Sequence, residues 1–258
     1  MDAGQVQENQ YIDSYMLDFH KDDPYGYESY QKLLEPMFVL EATCKKKFES
    51  ASRTYMLKDL IFATSLANTQ QATLTRAENH ESAIGSDFIL VFFYRDYPIR
   101  IQAGEVLTQV EPEQIVFADL SKPLTIHTSS INVVSLNFSR NLINMLVPLN
   151  EHFHGLVFRD GPHKELLLSY LKGLEHVAAD IMVKDSIHVT ETIVRMVANC
   201  LLQSKDRKLL KETSQQKISL LQLKQAINTQ IEDPRLSAES LLQQFHISRA
   251  TIYRMFEP

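Results

Sequence analysis

The chain has 258 residues, 44% of them hydrophobic and 22% charged, with a formal net charge of −6 at neutral pH. That length can bury one or two ordinary cores, and the acidic balance excludes a protein that binds nucleic acid over its whole surface. Two cysteines, Cys44 and Cys200, far apart in sequence, are too few for a disulfide scaffold or a cysteine zinc site.

The first ten residues (MDAGQVQENQ) carry neither the basic nor the apolar segment of a secretory leader. No apolar run approaches the ~20 residues of a membrane span, so a cytoplasmic protein without a membrane partner is expected. Residues 1–36 form a polar arm rich in tyrosine (Tyr11, Tyr15, Tyr25, Tyr27, Tyr30), with a turn at Asp23-Pro24 and a short helix near Glu28–Leu34. Two readings of this arm stay open: a partly ordered extension, or a segment that folds over a ligand.

From Met37 to about Phe138 the periodicity is that of strands. Phe88–Tyr94 (FILVFFY) is a continuous apolar run, as in a strand buried on both faces. Ile99–Gln102 alternates and turns at Ala103-Gly104. Val106–Val110, Gln114–Ala118, Leu124–Thr128 and Asn132–Phe138 follow, separated by Glu111-Pro112, Asp119 and Ser121-Lys-Pro123. Short strands with turns every 8–12 residues predict an antiparallel sandwich or barrel.

Helical spacing takes over after Ser139. A short helix at Arg140–Val147 is stopped by Pro148. His163 to about Val183 places Leu166, Leu167, Tyr170, Leu171, Leu174, Val177, Ala178 and Ile181 on one stripe. Ser186 to about Gln203 does the same with Val189, Ile193, Val194, Met196, Val197, Cys200 and Leu201. These faces require a partner, either the sandwich, each other or a second subunit. Residues 204–216 (SKDRKLLKETSQQ) are polar with mixed charge and form a linker.

A third helix pattern begins at Ile218 and ends at Asp233-Pro234, since the residue before proline avoids the α region. Ser237 then caps Ala238–Gln244, and Ser248 caps Arg249–Phe256 across the short turn Phe245-His246-Ile247. Two short helices across a three-residue turn are the spacing of a helix-turn-helix, whose second helix enters the major groove. From Ser214 to Pro258 there are five basic residues against four acidic ones, so this tail is slightly basic on an acidic chain.

Residues Asp233-Pro234-Arg-Leu236-Ser237, Leu241, Phe245-x-Ile247-Ser248-Arg249 and Ile252-Tyr253-Arg254-x-Phe256 resemble the first helix-turn-helix of the AraC/XylS transcriptional regulators. Leu236, Leu241, Ile247, Ile252 and Phe256 fall where a small three-helix core must be filled. The resemblance implies DNA contact by Ser248, Arg249, Ala250, Thr251, Tyr253 and Arg254, the arginines being suited to guanine or phosphate. The sequence departs from the family at Leu242, where a small alanine is usual, and at His246, where glycine is usual. The family has a second helix-turn-helix, and this sequence stops after the first. Weak or lost binding to promoter DNA is therefore expected of the chain alone.

The strand-rich region also resembles the family's cupin-like regulatory domain. The pattern runs from Phe88–Tyr94 through Glu113–Asp119 and Ser121-Lys-Pro123 to Leu136-Asn-Phe138 and the helix at Arg140; relatives often have glycine at the position of Glu113. The implied fold class is α+β: an antiparallel cupin-like β-sandwich or barrel with helices, followed by a truncated all-α helix-turn-helix domain. Residues 37–203 then form the regulatory, ligand-binding and dimerisation domain, and residues 217–258 the partial DNA-binding domain. Implied partners are a small-molecule effector of unknown identity, a second copy of the chain as a homodimer, and RNA polymerase, consistent with an activator. The alternative is a regulator that does not bind DNA and antagonises a full-length relative by dimerising with it.

Polar candidates for the barrel interior are Arg53, Tyr94, Arg100 and His127. A metal-dependent cupin enzyme requires paired strand histidines followed by a carboxylate and a third histidine. The sole His-x-His, His152-x-His154, lies after the strands beside Gly155, while His80, His127 and His163 stand isolated. No nucleophile elbow or glycine-rich phosphate loop occurs among only seven glycines, and Lys45-Lys-Lys47 reads as a solvated turn. No metal, no cofactor and no catalytic residue are expected, and the chain is not read as an enzyme.

Overall fold

The structure, a computed structural model, describes residues 10–44, 47–77, 87–147, 149, 153–203 and 237. The chain opens with β1 (Ser14–Phe19), α1 (Gly26–Leu34), β2 (Val39–Cys44), β3 (Ser50–Leu57), β4 (Leu60–Ala67) and β5 (Thr69–Arg76). Next come β6 (Phe88–Tyr94), β7 (Ile99–Ala103), β8 (Val106–Val110), β9 (Ile115–Asp119), β10 (Leu124–Thr128) and β11 (Ile131–Ser139). It continues through α2 (Arg140–Asn144), β12 (Leu156–Phe158), α3 (Pro162–Val177) and α4 (Val183–Gln203).

The strands form two antiparallel sheets packed face to face, the sandwich that the short strands predict. One has the order β1-β3-β4-β11-β6-β9-β12 and the other β2-β5-β10-β7-β8. β6 shows how the layers divide. Leu90, Phe92 and Tyr94 point into the space between the sheets, while Ile89, Val91 and Phe93 join a second core beneath the helices. A strand covered on both faces has no polar side to show, which is why it reads as an unbroken apolar run.

The second core receives Leu167, Leu168, Leu171 and Leu174 from α3, and Ile193, Val194, Val197 and Leu201 from α4. Pro162 at the first turn of α3 supplies a fixed φ where no intrahelical donor is required. Ser139 caps α2 by accepting a hydrogen bond from the Asn141 backbone N–H. The α3 stripe differs from expectation. Leu168 is buried whereas Leu166 and Val177 are exposed, and the α-helix ends at Val177 in a 3-10 turn, Ala178–Asp180. The helix at Arg140 is shorter than predicted, ending at Asn144.

Sequence periodicity assigns no strand before Met37, yet β1 pairs with β3 from Ser14↔Tyr55 to Phe19↔Ser50. Its residues are almost all exposed, as at a sheet edge, so no apolar and polar alternation marks it. Upstream, the Ile12 N–H donates to the Ile181 carbonyl and the Val183 N–H to the Gln10 carbonyl, tying this segment to the start of α4. α1 presents a fully buried Tyr30 to the core between the sheets.

The turn between β8 and β9 holds Glu113 at a φ of 63°, in the left-handed region that favours glycine. Its N–H donates to the Tyr94 carbonyl, and its carboxylate pairs with Lys172 on α3. The helix-turn-helix pattern, with Ser248, Arg249, Ala250, Thr251, Tyr253 and Arg254, lies outside the described residues, as does all of 204–258 except Ser237.

Candidate functional site

The space between the sheets is incompletely filled, and the reason is side-chain size. Neighbouring strands put small residues on their inner faces: Ser52 and Thr54 on β3, Ala63 and Ser65 on β4, Ser135 on β11. Their outer faces carry the bulky Tyr55, Leu57, Phe62, Leu136 and Phe138 of the other core. Opposite the small residues stand Leu74 and Ile126, with Leu90, Phe92 and Tyr94 alongside on β6. A cavity of about 220 Å³ results. α1 and the segment after it line it with Tyr30, Leu33, Leu34, Met37 and Phe38.

The polar groups on this cavity are few. Tyr30 Oη lies 2.7 Å from Ser65 Oγ, which lies 2.9 Å from Ser52 Oγ, so three hydroxyls form a chain. Burial pushes the Tyr30 phenol up to about 12, against the opposing effect of its Ser65 hydrogen bond. Burial also raises Tyr94, with Tyr30 nearby adding to the shift. Both phenols are neutral at physiological pH. Asn137 on β11 is 2% exposed, and its Oδ1 has no hydrogen-bond partner. Buried acceptors are nearly always paired, so an orphan at the edge of a cavity calls for a ligand group.

Of the sequence-predicted interior residues, Tyr94 lines the cavity. Arg53 does not: it emerges from the other face of β3 and donates Nη2 to Asp18 Oδ2 on β1 at 3.0 Å. Arg100 and His127 are cross-strand partners on β7 and β10. They line a separate depression of about 420 Å³ with Thr73, whose Oγ1 lies 3.2 Å from His127 Nδ1. Ser52, Ser65 and Asn137 were not singled out from the sequence. The available signal was the period-two run of small and polar residues, Ser50-x-Ser52-x-Thr54 and Val133-x-Ser135-x-Asn137, set against bulky alternates.

A second polar cluster braces the end of the larger sheet. Arg140 forks onto the Asp119 carboxylate, Nη1 to Oδ2 at 2.6 Å, and Ser121 Oγ donates to Asp119 Oδ1 at 2.6 Å. His154 Nδ1 accepts from the Asp119 backbone N–H at 3.2 Å, and its Nε2 lies 3.0 Å from the Pro123 carbonyl. That arrangement is satisfied by the neutral ring protonated on Nε2. Burial lowers the His154 pKa in keeping with it. The cluster joins β9, the β9–β10 turn, α2 and the segment before β12. Among the described residues no group of three or more His, Cys, Asp or Glu is placed to hold a metal ion. No helix among them is long and apolar enough to cross a membrane.

No protein-family model and no curated protein matches the chain. Among solved structures it is similar to the AraC-like transcriptional activator CuxR, with a TM-score of 0.62 and 18% identity, over 95% of this chain and 89% of that one. That likeness is one of fold. Lesser matches include vicilin from Corylus avellana (TM-score 0.26, 12% identity, 40% of this chain and 31% of that one). A cupin domain of an XRE family transcriptional regulator from Enterobacter cloacae scores 0.19 at 14% identity, over 48% of this chain and 90% of that one. At such scores these two carry no argument.

Proposed function

We propose that the chain is a transcription regulator in which the sandwich senses a small molecule and residues 217–258 contact DNA. The observation that carries this reading is the union, in one chain, of an apolar cavity between the sheets with the helix-turn-helix pattern Asp233–Phe256. The fold likeness to an AraC-like transcriptional activator supports it. The cavity's polar lining is hydroxyls and a carboxamide, un-ionised near neutral pH, which suits binding rather than turnover. DNA contact is assigned to Ser248, Arg249, Ala250, Thr251, Tyr253 and Arg254, with RNA polymerase as the partner at the promoter.

The test is selection of DNA fragments from the source genome, followed by gel-shift titration at low salt. Arg249→Ala is expected to weaken binding to the selected fragment about tenfold, as loss of a bidentate base contact does. Wild-type binding is expected to be weak, with one helix-turn-helix in place of two, and a wild-type chain that binds the selected fragment no better than random DNA overturns the assignment.

We also propose a homodimer through α3. Leu166 and Val177 are 58% and 52% exposed, and with half-buried Tyr170 and exposed Gly173 they form one stripe at helical spacing. The stripe is complementary to itself. In an antiparallel two-fold pair, Leu166 meets the partner's Val177 and Tyr170 meets the partner's Gly173, a large residue against a small one. A Cβ at Gly173 would have nothing within 4 Å, so that notch is open. Leu166→Asp is expected to shift the sedimentation coefficient from dimer to monomer at micromolar concentration, and a monomeric wild type overturns the pairing.

A further inference from the structure

From the cavity we infer the chemical class of the effector: a neutral, mainly hydrocarbon molecule about one ring in size, bearing a hydroxyl or amide group that seats on Asn137. The inference rests on the sensor reading above and adds to it the charge, size and polarity of what is sensed.

Charge comes first. Among the described residues, those that line the cavity include no lysine, arginine, histidine, aspartate or glutamate. A carboxylate, phosphate or ammonium brought into this space would lose its hydration and meet no counter-charge, an outcome that strongly disfavours binding. Tyr30 and Tyr94 do not supply one, since burial holds both phenols protonated. The arginines nearest in sequence are engaged elsewhere, Arg53 with Asp18 and Arg95 with Glu175.

Size follows from the volume. An apolar cavity of about 150 Å³ accommodates benzene, so about 220 Å³ takes a single ring with a short substituent. Walls of Leu90, Phe92 and Ile126 reward contact with hydrocarbon rather than with a many-hydroxyl sugar.

Polarity is set by Asn137. The residue is 2% exposed, and Oδ1 is unpaired among the described residues. A carboxamide offers both an acceptor and a donor. A ligand hydroxyl or amide, itself able to donate and accept, satisfies it, whereas an alkane leaves it orphaned and a carboxylate cannot donate to Oδ1. The Tyr30–Ser65–Ser52 hydroxyl chain lines the same cavity and offers a second hydrogen-bonding point.

The experiment is calorimetric titration of the full chain at pH 7 with three probes of one skeleton: 4-methylphenol, toluene and 4-methylbenzoate. 4-Methylphenol, neutral at this pH, is expected to bind at least about tenfold more tightly than the anionic 4-methylbenzoate. Asn137→Leu, similar in volume, is expected to weaken 4-methylphenol about tenfold and leave toluene unchanged or tighter. Equal or tighter binding of 4-methylbenzoate, an unchanged 4-methylphenol affinity in Asn137→Leu, or no binding of any probe overturns the inference. The wild-type comparison stands even where the variant fails to fold. The Arg249→Ala gel shift reads the regulator assignment independently. A sequence-selective wild type with the wrong probe preference therefore sinks the effector class alone, and a non-selective one sinks the regulator.

Discussion

Asp119→Ala is expected to lower the unfolding free energy by about 2–3 kcal/mol, read as a drop in the urea midpoint at unchanged slope. The Asp119 carboxylate is 10% exposed and receives Arg140, the Ser121 hydroxyl at 2.6 Å and the Ser121 N–H at 2.9 Å. Burial works against its charge, but the hydrogen bonds from Arg140 and Ser121 outweigh it and hold the carboxyl below the usual range. Removing it takes the carboxylate from the Arg140 guanidinium, which keeps the Ser121 hydroxyl at 3.0 Å and whose side chain is 24% exposed, so part of the cost of breaking a buried pair returns through that partner and water. Replacing Arg140 by methionine in the same chain removes the charge that has lost its carboxylate and is expected to recover about half of the loss. Independent, additive effects of the two substitutions would show that the pair is not coupled.

The same cluster sets the response to acid. His154 has a lowered pKa, so folding favours its neutral form. Its contribution is present above the ordinary value of 6.5 and is lost as pH falls below that toward the folded value. Asp119 adds a second loss beginning near its ordinary value of 3.8 and running below it. Protonating His154 puts a hydrogen on Nδ1 facing the Asp119 N–H, donor against donor, which is the structural content of the first loss.

How much of this is visible in the sequence depends on contrast between neighbouring residues. β8 and β10 fall on the residues that periodicity marks because turns at Gly104, Pro112 and Pro123 bound or neighbour them, and β6 does so because burial on both faces leaves it an unbroken apolar run. β1 is invisible because it is an exposed edge strand in which Met16 sits between Ser14 and Asp18 and breaks the alternation into a run of Tyr15, Met16 and Leu17. For the cavity, Tyr94 is legible but Asn137, Ser52 and Ser65 are not. Which face of a strand points inward is set by register, and register is a property of the pairing, Ser52↔Ser65 and Ser135↔Phe92, rather than of either strand alone. Arg53 illustrates the cost: one residue from Ser52, it lies on the opposite face. His127 and Arg100 miss the cavity likewise, sitting beside the buried Ile126 and Ile101 that face the core.

Gly155→Ala is expected to destabilise by about 2–4 kcal/mol, the sum of two separable effects. Gly155 has a φ of 77°, where a side chain meets the backbone, and its N–H donates to the Phe117 carbonyl at 3.0 Å, which fixes it there. A Cβ would also fall 2.4 Å from the Ala103 Cβ. Ala103 ends β7 in one sheet, whereas Gly155 leads into β12 of the other, so the contact lies where the two sheets close on each other. That corner cannot open without moving His154, which holds Asp119 and Pro123. For a chain of this size the loss amounts to about 4–16 °C in the thermal midpoint. Two further variants apportion it. Ala103→Gly in the Gly155→Ala background removes the overlap and leaves the dihedral penalty, so about half of the loss should return. Gly104→Ala carries a φ of 62° but meets nothing within 4 Å, so it isolates the dihedral penalty at about 1 kcal/mol. If Gly104→Ala destabilises as much as Gly155→Ala, backbone conformation alone accounts for the effect, and the close approach of the sheets at Ala103 contributes nothing.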